Sequence, residues 1–185
     1  MPGMHHIGLS TLDFEGTIEF YTKKLGWKIA FQDILEPKQG GRIKHVFLDS
    51  GGGCYFAFMC PERVPGVPEE YATDINSAQN LPGAFYHFAM AVESLEALNK
   101  RREELVAQGI EVTPVINHNW ARSIYFRDPN GLLLEYCATV RELTAEDREL
   151  KHQSQDSFGA LKPEELVWVR KIMDGPRRAP APQLA

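Results

Sequence analysis

Apolar and polar positions follow two patterns along the chain, one with the period of a β-strand and one with that of an α-helix. Residues 6–10 and 87–92 are short apolar runs of the kind that forms strands. A series of apolar residues at helical spacing follows each run: Phe14, Ile18, Tyr21 and Leu25 after the first, and Leu95, Leu98 and Leu105 after the second. The pattern therefore predicts a strand followed by a helix at two places.

The ends of both predicted helices carry matching signals. Asp13 and Ser94 stand where an N-cap belongs, because their side chains can accept hydrogen bonds from the free N–H groups of the first turn. Gly26 and Gly109 follow the last apolar positions, where helices commonly end in a left-handed residue. These signals indicate an internal repeat.

The segments that follow the helices match as well. In each half, a strand leads through a tight turn into an apolar strand, over residues 46–59 and 125–137. Each half is therefore predicted to be a βαβββ module, and one such module cannot cover its sheet alone. The predicted fold is α+β: two paired βαβββ modules that form a curved, cup-like mixed sheet, with a C-terminal helical extension.

The repeat also predicts the domain organisation. Residues 1–140 are expected to form one domain, and residues 141–185 an extension. Within the domain, the modules occupy about residues 4–60 and 85–140, and a Pro- and Glu-rich linker joins them over residues 61–84.

Helix signals and proline content describe the extension. Thr144-Ala-Glu-Asp resembles a capping box, and Pro163 suits the first turn of a helix. The apolar positions of that helix are Leu166, Val169 and Met173. Three prolines in residues 175–185 predict a disordered tail.

Composition and charge narrow the class of protein. The 185 residues include 20 Lys+Arg and 25 Asp+Glu, a net charge of −5, which argues against a nucleic-acid partner because phosphates require a basic surface. No apolar run approaches the ~20 residues that span a bilayer, and no signal-peptide pattern is present, so we expect no membrane association and a cytoplasmic location. Three cysteines without CxxC spacing indicate neither a disulfide framework nor a zinc knuckle.

Candidate chemistry lies on the repeat-related strands. His6 and His87 each share their strand face with small residues only, which predicts that both histidines face a cavity. Glu135 lies inside an apolar strand, where a carboxylate is costly unless it is paired or bound to a metal. Two histidines and one carboxylate form the facial triad of non-haem iron sites. Fe(II) is therefore the favoured metal, and Mn(II), Zn(II) or another divalent metal fits the same ligands.

A longer motif resembles a known family. Residues 116–135, Ile-Asn-His-Asn-Trp-Ala-Arg-Ser-Ile-Tyr-Phe-Arg-Asp-Pro-Asn-Gly-Leu-Leu-Leu-Glu, resemble the signature of small type I extradiol ring-cleavage dioxygenases. These enzymes belong to the vicinal oxygen chelate superfamily, with glyoxalase I, methylmalonyl-CoA epimerase, and fosfomycin- and bleomycin-resistance proteins. The resemblance covers about residues 4–140, and it implies that His6, His87 and Glu135 are the metal ligands.

The first-half strand discriminates between branches of this superfamily. Glyoxalases and epimerases typically carry a fourth protein ligand, Glu or Gln, at the position equivalent to Glu135. Aligning Asp49 with Asp128 puts Phe56 there, and three protein ligands favour an oxygenase. The dioxygenases usually place a catalytic histidine on this same strand, which has none here, and His45 on the preceding strand is the candidate replacement.

The resemblance also implies roles beyond the metal ligands. Tyr125 would hydrogen-bond a substrate oxygen, and His118 would be an acid/base group or a substrate contact. Phe56, Phe58 and Trp120 are candidates for the lining of an aromatic pocket. A homodimer is the expected assembly, since such repeats often dimerise.

The favoured function is therefore Fe(II)-dependent, extradiol-type cleavage of a catechol-like aromatic substrate by O2. Two alternatives stay open. One is a glyoxalase- or epimerase-like metal lyase or isomerase. The other is a non-catalytic protein that binds a small molecule or an antibiotic.

Overall fold

The chain forms two compact units. The computed structural model describes residues 3–150 and 161–175, so most of the predicted tail lies outside the described residues. Of the described residues, the first unit contains those up to Gln79 together with Asp128–Leu132, and the second contains Asn80–Arg127 and those from Leu133 onward.

The first unit has the element order predicted for a βαβββ module. Its elements are β1 (His6–Ser10), α1 (Phe14–Glu19), β2 (Lys28–Leu35), β3 (Arg42–Gly51), β4 (Cys54–Glu62) and the short helix α2 (Ile75–Ala78). The sheet order is β1-β4-β3-β2; β1 and β4 are parallel, and the other neighbours are antiparallel.

The second unit repeats this arrangement and adds a C-terminal helix. Its elements are β5 (Phe88–Val92), α3 (Leu95–Ala107), β6 (Ile116–Asn117), β7 (Ala121–Arg127), β8 (Leu133–Thr139) and α4 (Pro163–Asp174). The sheet order is β5-β8-β7-β6, with β5 and β8 parallel. Two four-stranded mixed sheets with helices confirm the predicted α+β class and the βαβββ repeat.

The predicted helix ends are confirmed in both units. The Asp13 carboxylate accepts a hydrogen bond from Gly16 N at 2.9 Å, and the Ser94 hydroxyl accepts one from Ala97 N at 3.1 Å. Gly26 and Gly109 have positive φ angles of 74° and 76°. Each of these glycines ends its helix in the left-handed region that side-chain-bearing residues avoid.

The first helix departs from regular α geometry in its second half. Residues Phe20–Lys24 form a π-helical turn that continues α1. Leu25 N donates to Phe20 O at 3.1 Å, and the ring of Tyr21 is fully buried. The apolar spacing predicts the buried face of this helix but carries no signal for the wider turn.

Two aromatic residues of β4 belong to the core of the first unit rather than to a pocket. Register pairs His6 with Tyr55 and Gly8 with Ala57, so Phe56 and Phe58 lie on the opposite face of the sheet from His6. Both rings pack against Tyr21, with centroids 6.1 and 5.2 Å away. The expectation that Phe56 and Phe58 line a substrate pocket is therefore wrong, because strand parity turns them toward α1.

The two helix signals of the extension have different outcomes. At the first, Thr144 N donates to the Asp147 carboxylate at 2.8 Å, but only the 3-10 turn Glu146–Arg148 follows. At the second, α4 begins at Pro163 as predicted, and Lys162 N donates to the Glu165 carboxylate at 2.8 Å. Among the described residues, no helix has both the length and the apolar character needed to cross a membrane.

Candidate metal site

The second sheet brings the predicted histidine and carboxylate to one face. Register pairs Glu135 of β8 with Ala89 of β5 on one side and with Tyr125 of β7 on the other. His87 precedes Ala89 by two positions, so it projects from the same face of the sheet. The alternation of the strands thus places His87, Glu135 and Tyr125 together, as the sequence predicts.

His87 and Glu135 form a close pair. The His87 Nε2 and Glu135 Oε2 atoms are 2.9 Å apart, and only 5 % of Glu135 is exposed. The other ring nitrogen of His87, Nδ1, donates to the carbonyl oxygen of Ala84 at 3.1 Å. Both nitrogens therefore face acceptors, and the imidazole has one fixed orientation.

The pKa shifts of this pair follow from its contacts. The hydrogen bond to Glu135 raises the pKa of His87, although partial burial opposes this. Burial by itself would raise the pKa of Glu135, but the hydrogen bond from His87 and the nearby hydroxyl of Ser123 outweigh it and lower that pKa. Each group of the pair therefore favours the charged form of the other.

Ser123 is a further polar group on this face. Its register partner is Cys137, two residues after Glu135. The hydroxyl oxygen is fully buried and makes no hydrogen bond of normal geometry to a described residue. It is nevertheless near enough to the Glu135 carboxylate to help lower the pKa of that group, and near enough to the Tyr125 hydroxyl to oppose in part the rise of its pKa. Ser123 is therefore a buried donor beside the candidate site.

Tyr125 and His118 form a second pair. The Tyr125 hydroxyl donates to His118 Nε2 at 3.0 Å. Burial, with the nearby charge of Glu135, raises the pKa of Tyr125, so its phenol stays protonated. Burial also lowers the pKa of His118, so its imidazole is neutral near pH 7 and accepts the bond.

His6, the third predicted ligand, lies in the first unit at the start of β1. Its side chain is exposed, its ring packs against Phe47 with centroids 5.3 Å apart, and its Nδ1 atom is 2.8 Å from Nδ1 of His5. Among the described residues, no group of three or more His, Cys, Asp or Glu side chains is arranged to hold a metal ion. The role of His6 as a ligand stays a prediction.

The first unit corrects one alignment made from the sequence. Gly8 pairs with Ala57, and Ala57 pairs with Phe47, so the position equivalent to Glu135 is Ala57 rather than Phe56. A register shift between Asp49 and Gly51, at the glycine-rich hairpin, moves the strand by one residue relative to the second half. The equivalent side chain is still not a metal ligand.

His45, the candidate replacement for the missing catalytic histidine, has partners within the first unit. Its Nδ1 atom lies 3.1 Å from the Asp33 carboxylate, and its ring packs against Phe47 with centroids 4.7 Å apart. Both contacts of the His45 ring are therefore with residues of its own sheet. A catalytic role for His45 stays a prediction.

Two contributors to the site lie outside the residues singled out in the sequence. Ala84 acts through its carbonyl oxygen, and a backbone atom leaves no signal in a sequence. Ser123 shares strand parity with Tyr125, so its position on the site face could have been read from the alternation.

Two βαβββ units, the second of which presents a histidine and a buried glutamate on one sheet face, are the arrangement expected of vicinal oxygen chelate proteins. The family model described as Glyoxalase/Bleomycin resistance protein/Dioxygenase superfamily matches residues 3–136. The chain belongs to this superfamily.

Several solved structures share the fold. A glyoxylase/bleomycin resistance protein/dioxygenase domain from a Frankia species is 22% identical with a TM-score of 0.55, covering 78% of this chain and 96% of that one. The fosfomycin resistance protein FosX from Listeria monocytogenes is 21% identical with a TM-score of 0.51, covering 80% and 99%. TnmS3, an antibiotic-binding protein from a Streptomyces species, is 16% identical with a TM-score of 0.51, covering 75% and 97%. At these identities the similarity shows the fold alone.

Proposed function

We propose that this protein is a metal-dependent dioxygenase that cleaves the ring of a catechol-like aromatic substrate, with His87 and Glu135 as two of its metal ligands. The observation that carries the proposal is the 2.9 Å approach of the His87 and Glu135 side chains. A buried carboxylate is costly without a cation beside it. A histidine whose second nitrogen is held by a backbone carbonyl is typical of metal-binding histidines.

The donor atoms present fit a divalent metal. An imidazole nitrogen and a carboxylate oxygen converge, and a cation would replace the proton that His87 shares with Glu135. This donor set suits Fe(II), which we favour, and also Mn(II) or Zn(II). His6 is proposed as the third ligand on the strength of the repeat and the family resemblance.

The side chains around the pair would handle protons and orient the substrate. A bound Fe(II) would supply the redox chemistry that O2 activation needs. Tyr125 stays protonated, and its single O–H, which donates to His118 in this structure, would turn to a bound substrate oxygen and release His118 Nε2 as a proton acceptor. Neutral His118, 3.0 Å from that hydroxyl, can accept a proton as the substrate loses one.

The same proton-handling pair favours a second candidate function, a redox-neutral metal lyase or isomerase. Tyr125 and His118 are arranged to move a proton whether or not O2 takes part. Two of the structurally similar proteins are a fosfomycin resistance protein and an antibiotic-binding protein, so binding without catalysis is a further outcome to be tested.

The test is O2 consumption by protein that has been loaded anaerobically with Fe(II) and mixed with a panel of catechols. We expect stoichiometric O2 uptake in the wild type and a loss of at least about 100-fold in Glu135→Ala, since removing a ligand disrupts the metal centre. Glu103→Ala, which removes an exposed carboxylate of α3, is the matched control and should retain activity. Iron binding without O2 consumption in the presence of any catechol would contradict the proposed dioxygenase activity. Anaerobic turnover of a hydroxy acid or a hemithioacetal would support the second candidate.

A further inference from the structure

Part of the sheet face that carries the histidine–glutamate pair is covered by α4. Val169 and Ile172 pack against Tyr125 and Leu133 in one buried cluster. Tyr125 is the direct register partner of Glu135. The C-terminal helix therefore lies beside the candidate site and touches one of its residues.

Arg127, the last residue of β7, fixes the end of this helix. Its Nε atom donates to the carbonyl oxygen of Ile172 at 2.7 Å, and its Nη2 atom donates to that of Met173 at 2.9 Å. The last carbonyl groups of a helix have no partner within the helix, and a cation near them is favourable. The guanidinium thus anchors the C-terminal turn of α4 to the sheet.

The segment before β5 is packed into the same junction. A Cβ atom on Gly83 would collide with the carbonyl oxygen of Met173 and with the guanidinium of Arg127. The next residue, Ala84, packs against the buried cluster that includes α4. Gly83 is therefore in tight contact with Arg127 and with the end of the helix, and Ala84 packs against the cluster beside them.

Ala84 links this junction to the candidate metal ligand, because its carbonyl oxygen accepts the hydrogen bond from His87 Nδ1. We propose that α4 is a positioning element of the site: through Arg127 and the Gly83–Ala84 segment, it holds the His87 imidazole with Nε2 directed at Glu135. This inference deepens the proposed function and rests on it in one respect: the orientation of His87 serves metal binding only if the pair binds a metal. The orientation itself can be measured without any metal.

The first measurement is the ¹⁵N NMR signal of the His87 ring in metal-free protein, assigned with His87→Gln. In the wild type, we expect Nδ1 to show a protonated, hydrogen-bonded signal. In Arg127→Ala, we expect that signal to shift toward the average of an unrestrained imidazole. The signal of His45, whose ring contacts Asp33 in the first unit, should stay in place.

The second measurement is Co(II) affinity in the same proteins, with the visible spectrum of the bound ion as the readout. Loss of a contact that orients a metal-binding histidine typically lowers affinity by about 10–100-fold, and we expect a loss of this size in Arg127→Ala. Arg127→Lys keeps the charge with a single amine and should give a smaller change in the same direction. If the alanine variant does not fold, Arg127→Lys alone tests the proposal.

Two control variants separate positioning from general destabilisation. Lys171→Ala removes the exposed ion pair between α4 and Glu111 but leaves the junction intact, so it should change neither readout. Leu98→Ala removes a fully buried side chain of α3. It should lower stability without moving the His87 signal or the Co(II) affinity.

The two proposals fail in different ways. If the wild-type protein binds no Co(II), the proposed function is wrong. The His87 signal in the variants would still decide whether α4 orients the ring. Wild-type protein that binds Co(II), with affinity and His87 signal unchanged in Arg127→Ala and Arg127→Lys, would overturn the positioning role alone. Equal changes in Leu98→Ala would also overturn it.

Discussion

At the scale of single residues, Asp128 is a buried carboxylate that the proposed mechanism does not use. Its Oδ1 atom accepts from the backbone N–H groups of Asn130 and Leu132 at 2.9 and 2.8 Å. Its Oδ2 atom accepts from the Tyr21 hydroxyl at 3.0 Å and from the Asn130 amide at 2.9 Å. Asp128 therefore closes the turn of the Asp-Pro-Asn-Gly motif and ties it to the first helix.

Asp128 should make stability depend on pH. Burial outweighs these hydrogen bonds and raises its pKa from 3.8 to about 6. The folded state thus binds the proton of Asp128 more tightly than the unfolded state does. The stabilisation that results from this protonation is present at low pH and is lost as the pH rises from about 4 to about 6. Relative to Asp128→Asn, the wild type should lose up to about 3 kcal/mol of unfolding free energy across that window.

Urea unfolding of both proteins at several pH values measures this difference. Because Asn cannot accept all four hydrogen bonds, the variant differs from the wild type in stability at every pH, and the informative quantity is how this stability difference changes with pH. Parallel pH profiles for the wild type and Asp128→Asn would show that burial does not shift this group.

The site could be predicted to the extent that its side chains follow strand parity. His87, Glu135 and Tyr125 meet because alternation along β5, β7 and β8 determines which side chains share a face. His118 meets Tyr125 from the loop before β7, so that contact does not follow from strand parity. The carbonyl of Ala84 could not be predicted, since its contact depends on how the preceding loop packs. Ala57 was missed by one position, because a register shift at a glycine-rich hairpin has no clear sequence signal.

At the scale of elements, α3 shows how a helix begins where the sequence indicates. Ser94 has extended backbone geometry, and its hydroxyl accepts from Ala97 N at 3.1 Å. Leu98 and Leu105 are fully buried on the face that packs on the sheet. The cap and the apolar spacing agree on the same helix, which is why its start and its buried side could be predicted.

Removal of this cap should destabilise the second unit. In Ser94→Ala, one N–H group of the first turn loses its acceptor, and the expected cost is about 1 kcal/mol of unfolding free energy. Ser94→Asp, which keeps an acceptor at the same place, is the matched control and should retain most of the wild-type stability. The midpoint of urea unfolding measures both, and an unchanged midpoint in Ser94→Ala would contradict the role of the cap.

For the last helix, α4, the sequence predicts that the helix forms but not what it packs against. Proline at the first turn and apolar spacing predict that α4 forms, and its buried residues include Val169 and Ile172. An amphipathic pattern tells which face of a helix is buried but not what that face packs against. The docking of α4 beside Tyr125 is therefore a finding of the structure.

At the scale of the whole molecule, the fold and the family are shown, and the reaction is proposed. The superfamily match covers residues 3–136, whereas α4 lies beyond it and packs on the sheet face that carries the candidate site. A fold shared by enzymes and binding proteins does not decide function, which depends on the side chains of the site. Metal binding by the histidine–glutamate pair is thus the central claim.

The most direct test is a calorimetric titration of metal-free protein with Fe(II) under anaerobic conditions. We predict one equivalent of Fe(II) per chain in the wild type. We expect at least about tenfold weaker binding in His87→Gln, which removes the imidazole, and in Glu135→Gln, which replaces the anionic ligand with a neutral amide. The exposed control Glu103→Gln should bind as the wild type does. Absence of binding in the wild type, or equal affinity in the wild type and Glu135→Gln, would contradict the metal site.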